Sequence, residues 1–393
     1  MKQVESIEEV INKYVARETF FKEFFRISEK TYELNTNDFK SINYLRELFY
    51  PNGANGIYFL KDNNVSNKVI YNLHLSEDEA NHLFQLVVDR WRYSGICHPV
   101  VNDVYELYRF NQDKIYIQKE HDNSSNAHLI LMSNNKIYLI NSIKKEKDFK
   151  SLSRFIREIA FRSLENEGYV IFHASTVEID NKGIVIVGNS GAGKTTLALA
   201  LCKFYNAKFI ANDRIALKEE NGAIIAKPFS FAARLNYGTL KTLGLEKKYK
   251  SWDLINSIPA KDSDWKVFNG EHKLHILPKE LEVNLDLRIS SKTCIEYIVF
   301  PNCISHDRYK GSINYLNDDY KLLKENCYTP KDPDFHEDWL NIREVCANTL
   351  EERADNIIRY LLKKKDKYKF YYSFDSYTQT LQDLVNKINM QEV

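Results

Sequence analysis

Glycine and proline are scarce in this 393-residue chain, at 13 and eight residues, and methionine and tryptophan are scarcer, at three and four. No internal repeat or low-complexity segment is present, so the composition is that of a globular protein. No apolar run approaches the roughly 18 residues of a bilayer-crossing helix, and no membrane partner is expected. The start of the chain, Met1 to Val10, lacks the apolar centre of a signal peptide, so the expected location is cytoplasmic. The six cysteines (Cys97, Cys202, Cys294, Cys303, Cys327 and Cys346) are scattered without Cys-x-x-Cys spacing, which argues against a disulfide framework or a zinc site. Neither charge is in excess. With 55 Lys and Arg against 54 Asp and Glu the net charge is +1, and no bulk electrostatic footprint for nucleic acid is visible. The basic run Lys363-Lys364-Lys365 is followed at once by Asp366 and reads as a solvated helix end.

Hydrophobic residues make up 44% of the chain and aromatics 13%, with 25 Tyr and 22 Phe, which is enough for two or three domains with cores of their own. Against the scarcity of glycine one segment stands out. Residues 188–195 read Gly188-Asn189-Ser190-Gly191-Ala192-Gly193-Lys194-Thr195, two glycines four positions apart followed by Lys and Thr. This is the phosphate-binding loop pattern, and its mechanism is backbone geometry. Glycines adopt conformations closed to other residues, so successive N–H groups can point at one anion. The helix that follows adds its positive N-terminal end. In that reading residues 188–196, Thr196 included, contact the nucleotide. Lys194 reaches the terminal phosphates and Thr195 holds Mg²⁺.

The flanking sequence has the required order. Gly183-Ile184-Val185-Ile186-Val187 is a short apolar, β-branched run, as expected of a buried strand. Residues 195–204 are helix-prone, with Leu197, Leu201 and Phe204 expected on one face and Lys194 at an exposed helix end. Downstream, the apolar run Lys208 to Asn212 leads into Asp213. A carboxylate at a strand's C-terminal end lies beside such a loop and can hold Mg²⁺ directly or through water.

Around this centre the chain reads as α/β and α+β. Over residues 4–27 the apolar positions Val4, Ile7, Ile11, Tyr14 and Val15 predict an opening helix, and a loop-like stretch follows from Tyr50 to about Asn64. Ser76 and Glu79 form a capping box that opens a helix running to about Tyr93. Period-two runs at Val104–Phe110, Lys114–Gln118, His128–Met132 and Lys136–Ile140, separated by polar turns, are an antiparallel-sheet signature. The Cys97-His98 pair reads as incidental, because adjacent residues rarely face each other. The charged stretch Lys144–Asp148 is the linker candidate. It divides an N-terminal α+β region of unknown role, residues 1–148, from a P-loop domain, residues 149–393, with a mixed sheet. A helix is expected over 151–166, then strands at Tyr169–His173 and Thr176–Ile179 with a turn at Asp180–Gly183. More short strands follow over 218–310, and closing helices at 350–365 and 376–389.

With these residues in place, the stretch 169–217 resembles the catalytic domain of HPr kinase/phosphorylase and its group of related bacterial kinases. His173 precedes Gly188 by fifteen positions, and Ala211-Asn212-Asp213-Arg214-Ile215 is similar to the family's Ala-Asp-Asp-Arg-Val. More weakly, Arg154–Glu158 and Arg234–Leu240 are similar to segments of the related kinases. The resemblance implies an HPr-kinase-like fold, ATP and Mg²⁺ as cofactors, His173 near the γ-phosphate and Asp213 near the metal. The departure is Asn212, which stands where the family has the Asp that accepts the seryl proton. An amide takes no proton at neutral pH, so the base falls to Asp213 or His173, or transfer is impaired. Lys194, Asp213, His173 and Asn212 are therefore the candidate catalytic residues. No counterpart of the family's downstream metal-binding Glu is evident. Two functions follow. One is an ATP-dependent kinase acting on a hydroxyl of a peptide, protein or small molecule. The other is a nucleotide-gated binding or regulatory protein with weak or no transfer. Assembly as a homo-oligomer stays open.

Overall fold

The computed structural model describes residues 6–61, 66–100, 103–110, 112–118, 127–143, 150–256, 273–304, 310–316, 319–373 and 376–389. The linker candidate Lys144–Asp148 lies outside them, as do Val4 and Asn111. Both large sheets are mixed, with helices packed on them, so the class is mixed α/β. Among the described residues no helix is long and apolar enough to cross a membrane. The chain divides into two compact units, one of residues 1–46, 56–163 and 331–344, the other of residues 47–55, 164–330 and 345–393.

The first unit holds α1 (Ile7–Val15), β1 (Phe21–Ile27), β2 (Lys30–Thr36), α2 (Phe39–Leu48, as far as Arg46), β3 (Ile57–Phe59), β4 (Lys68–Ser76), α3 (Glu77–Arg90), β5 (Arg92–Val100), β6 (Asp103–Phe110), β7 (Asp113–Gln118), β8 (His128–Ser133), β9 (Lys136–Ile143) and most of α4 (Lys150–Asn166). Its strands form one nine-stranded sheet in the order β3-β1-β2-β4-β9-β8-β7-β6-β5. The run β6 to β9 is antiparallel, as its alternation predicts, and β5, which the sequence did not mark, joins it antiparallel to β6, but β4 is parallel to both β2 and β9.

The opening helix stops at Val15, and residues 21–27, rich in Phe, form a strand instead. The expected loop after Tyr50 contains a helical turn at 54–56 and then β3. The capping box at Ser76 forms as expected, yet α3 ends at Arg90, where the chain turns into an edge strand. On that strand Cys97 is buried and His98 exposed, so the two side chains do not meet. Residues 331–344 return to this unit without forming a helix or strand. Trp339 stacks on Tyr105 at 5.3 Å, and its carbonyl accepts from Tyr116 Oη at 2.8 Å. Arg162, fully buried, donates to Glu158 Oε1 at 2.7 Å and to the carbonyls of Phe335 and Glu337.

The second unit is built on a ten-stranded sheet. Its strands and helices include β10 (Val170–Phe172), β11 (Ala174–Ile179), β12 (Lys182–Val187), α5 (Lys194–Tyr205), β13 (Lys208–Ala211), β14 (Arg214–Glu220) and β15 (Ala223–Phe229). They continue with β16 (Ala233–Leu235), α6 (Tyr237–Thr242), β17 (Leu274–Ile276), α7 (Pro278–Leu285), β18 (Arg288–Ile289), β19 (Thr293–Cys303), β20 (Ser312–Tyr315), α8 (Tyr320–Glu325), α9 (Ala347–Lys364), β21 (Asp366–Tyr372) and α10 (Tyr377–Asn389).

β11 and β12 are joined through Asp180 and Asn181, both at positive φ. That is the backbone of a two-residue hairpin turn whose twist matches the strands. β12 runs through the middle of the sheet, parallel to β19, which is parallel in turn to β21. Its Ile184 and Ile186 pack with Leu197 of α5 and Leu381 and Leu384 of α10, while Val185 and Val187 pack with Ile358 and Leu361 of α9 on the other face. Both faces are covered, which is why this strand reads as an unbroken apolar run. Phe204, expected on the apolar face of α5, is 51% exposed, while Leu197 and Leu201 are fully buried. The two closing helices form as expected, and β21 between them was not anticipated.

Candidate functional site

The C-terminal ends of β12, β19 and β21 point the same way, and the glycine loop leaves β12 at that edge. Ligands in open α/β sheets bind outside the carboxyl ends of parallel strands. Gly191 and Gly193 have φ of 81° and 97° just before α5, the left-handed region that glycine enters freely and that an anion-binding loop uses. A cavity of about 230 Å³ opens there. Its lining includes Ser190, Gly191, Gly193, Lys194, Thr195 and Thr196 of the loop and α5, with His173, Asn212 and Asp213. Gly188, Asn189 and Ala192 line a second cavity of about 230 Å³ instead, with Phe300, Pro301, Asn302, Leu322, Lys369 and Tyr371.

Lys194 is not at an exposed helix end. It is 8% exposed, and its ammonium donates to the carbonyls of Gly188 at 2.6 Å and Asn189 at 3.1 Å. The loop folds over its own lysine, which sequence position alone does not reveal. Burial pushes the Lys194 ammonium down to about 8; Asp213 opposes that shift and Arg214 adds to it.

Thr195 Oγ1 donates to Asn212 Oδ1 at 2.6 Å, and Ser175 Oγ of β11 donates to the same oxygen at 3.1 Å. Asn212 thus carries two hydroxyl donors on one buried amide oxygen. With its proton committed, the Thr195 oxygen keeps its lone pairs for another partner. The Thr196 hydroxyl is engaged with Thr239 of α6 at 2.8 Å.

Asp213 sits in the turn between β13 and β14 at φ 74°. Its Oδ2 accepts from Arg214 Nη1 at 2.5 Å, and its Oδ1 lies 3.7 Å from His173 Nε2. His173 follows β10. Its backbone N–H donates to the Asn326 carbonyl at 2.8 Å, and its ring stacks on Tyr328 at 5.3 Å. The Arg214 guanidinium also lies over Tyr328, at 4.5 Å. Burial pushes the His173 imidazole down to about 4. The Lys194 cation adds to that shift, Asp213 opposes it, Arg214 adds to it, and a hydrogen bond with Asn326 opposes it. At neutral pH the imidazole is therefore uncharged.

Three lining residues, Cys303, Tyr372 and Lys273, carry no sequence signal, whereas Arg234, Asn236 and Thr239 belong to the segment 234–240 singled out in the sequence. Cys303 and Tyr372 reach the cavity because they end β19 and β21, and only the strand order reveals it. Arg234, Asn236 and Thr239, near α6, line it together with Lys273. Among the described residues no group of three or more His, Cys, Asp or Glu is placed to hold a metal ion.

No family model matches the chain, and no curated protein matches it. Among solved structures, the Hpr(Ser) kinase/phosphatase from Coxiella burnetii matches at 13% identity and a TM-score of 0.26, over 56% of this chain and 97% of that one. It is a weak structural neighbour, and at that score it carries no argument about fold or function.

Proposed function

We propose that the chain is an ATP- and Mg²⁺-dependent kinase that transfers a phosphoryl group to a hydroxyl of a peptide, protein or small molecule, on an HPr-kinase-like fold. The observation that supports this reading most is convergence. The loop's Lys194 and Thr195 share one cavity with His173 and Asp213, which come from two other turns of the same sheet. The donors fit Mg²⁺, a hard cation that takes oxygen ligands and usually keeps waters and substrate phosphates in its shell. Thr195 Oγ1 and the Asp213 carboxylate would hold it, and when bound it supplies charge neutralisation on the phosphates.

The loop N–H groups and the N-terminal end of α5 bind the phosphates, and the Lys194 ammonium stabilises charge on the terminal ones. Asn212 orients Thr195 through the 2.6 Å hydrogen bond. His173, uncharged at neutral pH, accepts or orients the hydroxyl proton, with Asp213 Oδ1 3.7 Å from its Nε2. The Asp213 carboxylate is engaged by Arg214 rather than free to face an acceptor. Phosphoryl transfer tolerates this because positioning and charge neutralisation carry most of the catalysis.

The second reading is a nucleotide-gated binding protein with weak or no transfer. It is favoured by Asn212, whose amide oxygen is occupied by two hydroxyl donors and takes no proton. Purified protein with Mg²⁺ and γ-labelled ATP separates the two. Label on an acceptor supports the kinase. Saturable ATP binding that leaves the native partner unlabelled supports gating, and absence of ATP binding rejects both.

A further inference from the structure

β16 and β17 form a small antiparallel pair in which Arg234 stands opposite His275. The period of two sends Ala233, Leu235, Leu274 and Ile276 into the core and leaves Arg234 and His275 exposed on the other face. Arg234 and Lys273, which directly precedes β17, line the cavity that holds Lys194, Thr195 and Asp213. Asp213 is the only acid among the described lining residues, and its carboxylate is already held by Arg214. Among the described residues no carboxylate pairs with Arg234 or Lys273. The cavity therefore carries two cations beyond the Lys194 of the phosphate loop, neither paired with a carboxylate among the described residues, Arg234 on the small β16–β17 sheet and Lys273 directly before it.

We infer that Arg234 and Lys273 bind an anionic group on the phosphoryl acceptor, a phosphate or a carboxylate carried by the same compound as the reacting hydroxyl. This rests on the nucleotide-binding reading above. A planar guanidinium gives paired hydrogen bonds to either anion, and an ammonium adds a point charge. Two such contacts place a hydroxyl-bearing compound in the cavity while the nucleotide phosphates occupy the loop.

The test uses the full chain saturated with Mg²⁺ and a non-hydrolysable ATP analogue, titrated calorimetrically with inorganic phosphate and, separately, with malonate. The expected result is a second anion bound in the presence of the analogue. Tighter binding of phosphate assigns a phosphate group, and tighter binding of malonate a carboxylate. Arg234→Ala and Lys273→Ala should each weaken the second anion by about 10- to 100-fold, the scale of hydrogen bonds to charged groups. The analogue's own affinity should stay within about twofold. Lys247→Ala, an equal loss of charge at an exposed position outside the cavity lining, should leave the anion's affinity unchanged. Analogue binding with no second anion would overturn this inference alone. Loss of analogue affinity in the two variants would also overturn it, because the cations would then belong to the nucleotide. Failure of the unaltered protein to bind the analogue would overturn the nucleotide reading and this inference with it.

Discussion

Lys194 is a cation held out of water against its own loop, and that position gives nucleotide affinity a pH dependence. Burial holds the ammonium down to about 8. Phosphate binds the charged form and raises its pKa, so binding takes up a proton wherever the free lysine has lost one. Affinity for the Mg²⁺–ATP analogue should be flat below about pH 7 and fall by up to about tenfold per pH unit above the free-state value. Calorimetry between those limits reads it directly. Lys194→Ala should bind the analogue at least about tenfold more weakly at pH 7 and lose the pH dependence. A folded variant within twofold of the original affinity would reject the assignment. Asn212 makes a different prediction from the one its place in the sequence suggests. Its amide oxygen faces Thr195 and Ser175. Asn212→Asp keeps both hydroxyl contacts and adds a negative charge beside Thr195, so it should lower the Mg²⁺ concentration that half-saturates nucleotide binding. Asn212→Ala should raise it. A Mg²⁺ titration that overlays all three proteins would remove Asn212 from the metal's surroundings.

Strand β12, the loop and α5 act as one element, and its tightest point is Gly193. At φ 97° a side chain is strained, and a Cβ there would meet the hydroxyl of Tyr372 at the end of β21. Gly193→Ala should therefore cost at least about 1 kcal/mol, more than the gain that alanine brings by restricting the unfolded chain. Denaturant midpoints check this. Adding Tyr372→Phe in the same chain should return part of the loss, because it removes the atom the new Cβ strikes. Equal stability of the single variant and the original would show that the loop yields at this position. The same close approach explains why β21, which is remote in sequence, shapes the phosphate site.

At the scale of the whole molecule, the first unit recruits a segment from far along the chain. Residues 331–344 contribute Trp339, 9% exposed and packed against Tyr105, Tyr116 and Phe155. They also supply the Phe335 and Glu337 carbonyls that satisfy buried Arg162. A buried cation left without those acceptors is costly, so the segment is part of this unit's core. Trp339→Ala should destabilise the unit by about 3–5 kcal/mol, the range for large aromatic truncations in a core. Chemical denaturation followed by circular dichroism gives the value. A loss below about 1 kcal/mol would place Trp339 at the surface.

The sequence was most legible where the physics is local. Glycines 191 and 193 with Lys194 and Thr195 define the loop, the Ser76–Glu79 capping box opens α3, and alternation within residues 104–110, 114–118, 128–132 and 136–140 yields the antiparallel run β6 to β9. β4 escaped notice because Asn72 and His74 are buried polar residues that hydrogen-bond inside the unit, so no clean apolar period marks the strand. Its parallel neighbours β2 and β9 also lie far from it in sequence. The burial of Lys194, the turn of Asn212 onto Thr195 and the arrival of Lys273 and Tyr372 in the cavity had no local signature. Each depends on which strands pair and in what register, and that is set by contacts between segments distant along the chain, where side-chain periodicity is silent.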